Sequence, residues 1–430
     1  MRHKQPGYLL GLLQLTVLFL GVVMLPGRAE AQAYTYTKLH DFTGQTDGAN
    51  PGAGVTIDRA GNLYGTTFGG GSGYGTVYNL KDTVSGWVFR VLYSFAGGND
   101  GAYTLSRVVF GPNGSLYGST LYGGGSNCSY FGYTGCGTIF NLQPPKAIVC
   151  RTQFCPWTES TLYRFQGGSN DGALPEGDLV FDQAGTIYGT TEDAGLYGTC
   201  NGFGGCGTAF ALSPSNNGWN ERIIWNFGQG TDGILPVAGV IFDAANNLVG
   251  VTYLGGALGV GMVYGLTQSG SAWTESILHT FEASNDGYEP DGGLLLDTAG
   301  NLYGSASGGG NSGGGTAFEL NPSFNLLYSF PGSAQNGPHG KLVMDEAGNL
   351  YGATSGNGAY GYGAVFKLTL QSDGQWAYTS LYDFCPQGPP CADGADPFGN
   401  LAFDRNGNIY GTAQNGGADG VGVVFELSPN

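Results

Sequence analysis

Asp58-Arg-Ala-Gly-Asn-Leu-Tyr-Gly65 is the stretch on which the fold turns. An Asp side chain can hydrogen-bond the backbone two residues on, and Gly accepts positive φ, so Asp-x-x-Gly reads as a hairpin turn. Leu-Tyr-Gly after it reads as the start of a short strand. The octet returns at Asp182–Gly189, Asp243–Gly250, Asp297–Gly304, Asp345–Gly352 and Asp404–Gly411, and at Gly111–Gly118 with Gly in place of Asp. Its aromatic position falls at Tyr64, Tyr117, Tyr188, Val249, Tyr303, Tyr351 and Tyr410, about 58 residues apart on average.

Three further motifs recur in step with it. Gly75-Thr-Val-Tyr-Asn-Leu80 has partners beginning at Gly137, Gly207, Gly261, Gly315, Gly363 and Gly422. W-x-x-x-x-L-Y-x-F spans Trp87–Phe95, Trp157–Phe165, Trp219–Phe227, Trp273–Phe281 and Trp376–Phe384, with a shortened copy at Phe324–Phe330. D-G-x-x-P-x-G-x-L-x-x-D leads back into the octet, as in Asp171–Asp182 and Asp286–Asp297. Each motif is short, aromatic or β-branched, and bounded by Gly, Asp, Asn or Pro, which is strand character. Four strands per unit and seven units predict an all-β, seven-bladed β-propeller with four antiparallel strands per blade. The last unit stops after its third strand. Tyr36–Phe42, which aligns with Leu92–Phe95, is expected to supply the missing fourth strand from the N-terminal end. Closure of that kind removes exposed sheet edges.

Composition agrees. Of 430 residues 82 are glycine and only 11% are charged, against roughly 7% and ~25% in ordinary chains. Interior glycine costs a helix about 1 kcal/mol relative to alanine, which disfavours helical and α/β folds. Glycine without a three-residue period excludes collagen, and 41% hydrophobic residues exclude disorder. A net charge of −17 with no basic stripe argues against nucleic acid and anionic membranes as partners.

Residues 1–33 read as a secretory signal: basic Arg2, His3 and Lys4, an apolar run from Tyr8 to Leu25, then small residues with cleavage after Ala31 or Ala33. Retention as a membrane anchor is the alternative. Residues 34–430 are then a single propeller domain, secreted or periplasmic, and expected to be a monomer. Eight cysteines in four close pairs, Cys128/Cys136, Cys150/Cys155, Cys200/Cys206 and Cys385/Cys391, read as disulfides in an exported chain.

The repeats resemble the GloVer tandem-repeat extracellular proteins of bacteria, whose signature stands here as Gly61-Asn-Leu-Tyr-Gly-Thr-Thr67 through Leu80. The resemblance covers nearly the whole chain after residue 33 and implies an exported repeat protein. It carries no catalytic or binding residues over.

No catalytic set is expected. His40 and His279 occupy an aromatic packing position held elsewhere by Tyr93, Tyr163, Trp225, Tyr328 and Tyr382; His339 alone sits differently. The Asp-Gly steps are read as turns, with calcium as the one possible cofactor. Antiparallel topology puts these turns and the glycine-rich loops on one face. Three of the four expected disulfides fall on that face, and Cys150/Cys155 falls on the other. Tyr74, Tyr130, Tyr133, Tyr197, Phe203, Tyr360 and Tyr362 lie in the glycine-rich loops and suit stacking on sugars or contact with a protein. Departures from the repeat near the first strand, Arg107, Glu176, Asp178, Asp291, His339, Lys341 and Asn400, are expected to ring one channel mouth as ligand-binding candidates. The expected function is a non-enzymatic binding or scaffold module for a glycan or an extracellular protein. The alternatives are a carbohydrate-active lyase or hydrolase at the channel mouth, using Glu176, Asp178, Asp291, His339 and Lys341 as acid and base candidates, and a purely structural envelope protein.

Overall fold

The computed structural model describes residues 34–125, 128–145, 155–198, 200, 204–283, 285–332 and 335–430. The signal-like segment 1–33, Phe203 and Cys150 lie outside them. Seven four-stranded antiparallel sheets form the blades of a propeller. Blade one runs Val55–Ile57, Leu63–Thr67, Thr76–Lys81 and Val88–Ser94, each strand hydrogen-bonded to the next. In blade seven Ala402–Phe403, Ile409–Ala413 and Val423–Pro429 are completed by Tyr34–Asp41, with Tyr36 opposite Leu427 and Asp41 opposite Val423. The predicted closure is therefore present.

The octet builds the first hairpin of each blade as its chemistry requires. Asp58 Oδ1 accepts from the N–H groups of Ala60 and Asn62, at 2.8 and 2.9 Å, while Gly61 takes φ +87°. Asp58 Oδ2 accepts from Asn62 Nδ2 and the Tyr64 hydroxyl. The glycine of Leu-Tyr-Gly makes room for the aromatic ring of the next strand: a Cβ on Gly189 would fall 2.7 Å from Phe210 Cζ.

Between blades one contact is repeated seven times. The last Phe of each L-Y-x-F motif meets, edge to face or tilted, the third-strand aromatic of the next blade: Phe95 on Phe140, Phe165 on Phe210, Phe227 on Tyr264, Phe281 on Phe318, Phe330 on Phe366, Phe384 on Phe425 and Phe42 on Tyr78. All are buried. Burying each such side chain is worth roughly 1.5–3 kcal/mol, and the ring geometry adds about 0.5–1.5 kcal/mol.

A second joint links the D-G-x-x-P and G-T-V-F motifs across blades. The residue before the proline, Asn50, Leu174, Leu235, Glu289 or Asp396, is left-handed with φ between +54° and +61°. Its N–H donates to the residue preceding the third-strand glycine of the previous blade: Val421, Cys136, Cys206, Val260 and Tyr362 respectively. The proline ring then lies against that glycine; a Cβ on Gly261 would sit 2.5 Å from Pro290 Cδ. Blade two has Thr104 in place of proline, yet Tyr103 keeps the left-handed turn and its bond to Tyr74. Left-handed φ is costly for Leu and is sustained only where surrounding bonds over-determine it.

Cys128–Cys136, Cys200–Cys206 and Cys385–Cys391 are bonded as predicted. They imply an oxidising compartment, extracellular or periplasmic. All three bridges sit in loops of the face that also carries the Asp-Gly turns. Cys150 of the fourth expected bridge, Cys150–Cys155, lies outside the described residues. Cys155 itself is described. It is half-buried, is disulfide-bonded, and stands three residues before the fourth strand of blade two, Thr158–Arg164.

Candidate functional site

The first strand of every blade is entered through three residues that follow the proline position. The middle one is small throughout, Ala53, Ser106, Gly177, Ala238, Gly292, Gly340 and Gly399, because backbones meet here around the axis. A Cβ on Gly177 would fall 2.6 Å from the Ala238 carbonyl carbon, and one on Gly340 2.7 Å from Gly399 O. The residues on either side surround an axial cavity of about 110 Å³.

Six of the seven departures from the repeat line this cavity, and Arg107, the seventh, pairs with Asp178 among them. They form two layers, two residues apart along the chain. The outer layer holds Glu176, Asp291 and His339, with Phe398 beside them. His339 Nδ1 lies 2.7 Å from Asp291 Oδ2, and Nε2 lies 3.1 Å from the Gln335 carbonyl oxygen. The ring is held between the two, each of which can accept a hydrogen bond from it. Burial, the largest single influence, disfavours a charged ring, but Asp291, the Gln335 carbonyl and Glu289 together outweigh it and the His339 pKa is raised. The ring stacks on Phe398, centroids 4.2 Å apart. The Glu176 pKa is raised well above the usual carboxylate range, first by burial and then by the charges of Glu192 and Asp291.

The inner layer holds Arg107, Asp178, Lys341 and Asn400. Arg107 donates to Asp178 through Nε and Nη2, at 2.9 and 2.6 Å, and through its backbone N–H at 3.0 Å. Asn400 Nδ2 donates to the same carboxylate at 3.2 Å, and Asn400 Oδ1 accepts from the Lys341 N–H at 2.5 Å. Blades two, three, six and seven are thus tied across the axis. The Lys341 ammonium is pushed down to about 8, by burial and then by the Arg107 charge, with Asp178 acting the other way.

The loop candidates divide by exposure. Tyr74 and Tyr360 present their rings to solvent. Tyr130 and Tyr133 pack into the core between blades two and three, Tyr133 stacked on Tyr122 at 4.7 Å, and Tyr197 and Tyr362 are likewise half-buried against core clusters. Leu196 and Leu258 were not singled out by sequence, yet they stand exposed at the tips of the equivalent loops. Those loops differ in length from blade to blade, so no column of the alignment marks them. With Phe131, five of the seven second-to-third loops carry an exposed large apolar side chain on one face: Tyr74 at 38%, Phe131 at 79%, Leu196 at 57%, Leu258 at 62% and Tyr360 at 49% relative exposure. Cys155 has no part in this surface. It lies in a third-to-fourth connection, beside Trp157 and the blade-one strand residues Asn79 and Arg90.

His40 and His279 hold the packing role expected of them, bonding Asp47 and Asp286 as Tyr163 bonds Asp171. The Asp-Gly carboxylates are occupied by their own turns: Asp171 accepts from the N–H groups of Gln166 and Gly172 at 2.7 Å each. Among the described residues no group of three or more His, Cys, Asp or Glu side chains is placed to hold a metal ion.

In overall shape the chain is similar to a gluconolactonase from Xanthomonas campestris, at 15% identity and a TM-score of 0.42, covering 92% of this chain and 90% of that one. An ancestral GH74 enzyme gives 13% and 0.46, covering 87% of this chain and 51% of that one. A Trichoderma reesei protein of carbohydrate-active family AA12 gives 12% and 0.42, with 93% and 96% covered. Likenesses this distant carry no argument about chemistry. No curated protein matches the chain in sequence. The model of the Gloeobacter/Verrucomicrobia repeat matches residues 21–203 and 193–425. With its motifs recurring through the seven blades and a family match over nearly all of its length, the chain belongs to the Gloeobacter/Verrucomicrobia repeat family.

Proposed function

We propose that this protein is an exported, non-enzymatic binding module that engages a glycan or an extracellular protein through its loop-bearing face. The observation that carries this reading is the exposed apolar side chain on five loops of one face. Water-facing Tyr, Phe and Leu rimmed by Gly, Ser and Asn mark a contact surface. The bridges Cys128–Cys136 and Cys200–Cys206 hold two of those loops, which lowers the ordering cost of binding. The N-terminal segment supplies the export signal in this reading.

His339 bears on the enzymatic alternative. Both of its ring nitrogens are already engaged, by Asp291 and by the Gln335 carbonyl, which counts against a free general base there. The test is a glycan array and a pull-down from the protein's own extracellular medium, run on the folded chain and on a Tyr74→Ser, Phe131→Ser, Tyr360→Ser variant. Binding that falls at least tenfold in the variant supports the reading. Blank results in both assays, or binding indifferent to the three substitutions, overturn it. Turnover of a polysaccharide that His339→Ala abolishes would replace it with the enzymatic reading.

A further inference from the structure

The axial cavity has a charge pattern that the loop-face reading does not use. Each of its two layers contains one completed ion pair and one charge left over. In the outer layer His339 is paired with Asp291, which leaves the Glu176 carboxyl. In the inner layer Arg107 is paired with Asp178, which leaves the Lys341 ammonium. Among the described residues neither the Glu176 carboxyl nor Lys341 Nζ makes a hydrogen bond or an ion pair, and the two do not pair with each other. Both line the same cavity. Both are half-buried, and withdrawing a charge from water without a partner is costly; the cavity holds two such groups, of opposite sign and in different layers.

We propose that the axial cavity is a binding site for a small zwitterion, a molecule whose ammonium meets Glu176 at the mouth and whose carboxylate meets Lys341 one layer deeper. Hydrogen bonding from the ammonium stabilises ionised Glu176 against the repulsion of Glu192 and Asp291. The carboxylate likewise relieves the crowding of Lys341 against Arg107. Glu176 stands on blade three and Lys341 on blade six, in different layers, so the two charges are separated across the cavity as well as along it. A ligand with several bonds between its charges spans that better than an α-amino acid does. Asn400 and Asp178 hydrogen-bond to each other in the inner layer.

The experiment is isothermal titration of the folded chain with an ω-amino acid series: glycine, β-alanine, γ-aminobutyrate and 5-aminovalerate. Controls are the N-acetyl and C-amide derivatives of the best member, and glucose. The expected result is an optimum beyond glycine, with affinity at least tenfold weaker for each blocked derivative. Glu176→Gln should weaken the zwitterion while leaving the N-acetyl derivative unchanged. Lys341→Met should weaken it while leaving the amide unchanged. The blocked derivatives serve as a readout on unmodified protein, so poor folding of a variant does not rescue the idea. Equal binding of blocked and free forms, binding of glucose alone, or no heat from any member overturns it. Tyr360→Ser should not alter this titration, so the outcome is independent of the loop-face reading.

Discussion

Arg107 and Asp178 stand on neighbouring blades and meet in a paired contact across the axial lining, Nε and Nη2 both reaching Asp178 Oδ2. Each side chain is less than a quarter exposed, so solvent does little to replace a lost partner. Asp178→Ala should therefore cost about 3 kcal/mol, because it leaves the guanidinium unpaired and frees Asn400 Nδ2. Arg107→Met combined with Asp178→Leu should cost far less, since it removes both charges. Urea unfolding of the single and the double variant checks this; a single variant no less stable than the double shows the pair to be dispensable.

The joint between blades makes a sharper contrast. Gly185 and Gly207 share positive φ, +83° and +91°. A Cβ at Gly185 meets nothing, whereas one at Gly207 lies 2.5 Å from the Thr191 carbonyl oxygen and against Pro236 Cδ. Gly185→Ala should cost only the left-handed backbone penalty, about 1–2 kcal/mol. Gly207→Ala should add overpacking, for a total of about 3 kcal/mol or more. Equal losses in thermal or urea unfolding would mean that the Gly–Pro joint does not hold blade three to blade four.

What could be read from the sequence follows from where the interactions close. The Asp58 turn, the strand it feeds and the completion of blade seven by Tyr34–Asp41 all rest on local chemistry repeated seven times, so each copy confirms the others. The Gly207–Pro236 joint was hidden although both residues stood in recognised motifs. A repeat shows that two motifs alternate, but not whether each finds its partner in its own unit or in the next. His339, Glu176 and Lys341 were visible as departures from a regular column. Their two sets fall in separate columns on either side of the small middle residue; the pairing within each set was not visible, because Asp291–His339 and Arg107–Asp178 each join different blades.

Stability should fall as the solution is made alkaline. Glu159 and Glu221, on the fourth strands of blades two and three, are pushed up to about 7 by burial and then by Asp100 and Asp171. Glu275, one blade on, is pushed up in the same way beside Asp232. In each case the folded pKa lies above the unfolded one, so the folded state binds the proton more tightly. The contribution is whole below the unfolded carboxyl range and is lost as pH rises through about 7. His339, also raised, acts in the same direction. Asp345 is lowered and acts oppositely, but only in acid, where its contribution is lost as pH falls through its folded pKa. The melting temperature should thus be higher at about pH 5.5 than at about pH 8.5. Glu159→Gln, Glu221→Gln and Glu275→Gln together should flatten the difference; a triple variant with the parental slope assigns the dependence elsewhere.

Two of the disulfides bear on the joints between blades. Cys136 and Cys206 are the residues whose carbonyls accept the N–H groups of the left-handed Leu174 and Leu235. In other blades Tyr74, Val260, Tyr362 and Val421 do the same without a bridge. A bridge over six or eight residues constrains only a short loop of the unfolded chain, worth about 2 kcal/mol in the loop-entropy account. It also fixes the carbonyl on which a strained residue depends. Replacing Cys200 and Cys206 together by Ala should therefore cost about 2 kcal/mol globally and also loosen the joint locally. The local effect is separable: amide exchange at Leu235 should accelerate more than at Glu289, whose acceptor Val260 lies in a loop without a bridge. Equal acceleration at both residues would reduce the disulfide to a constraint on the unfolded chain alone.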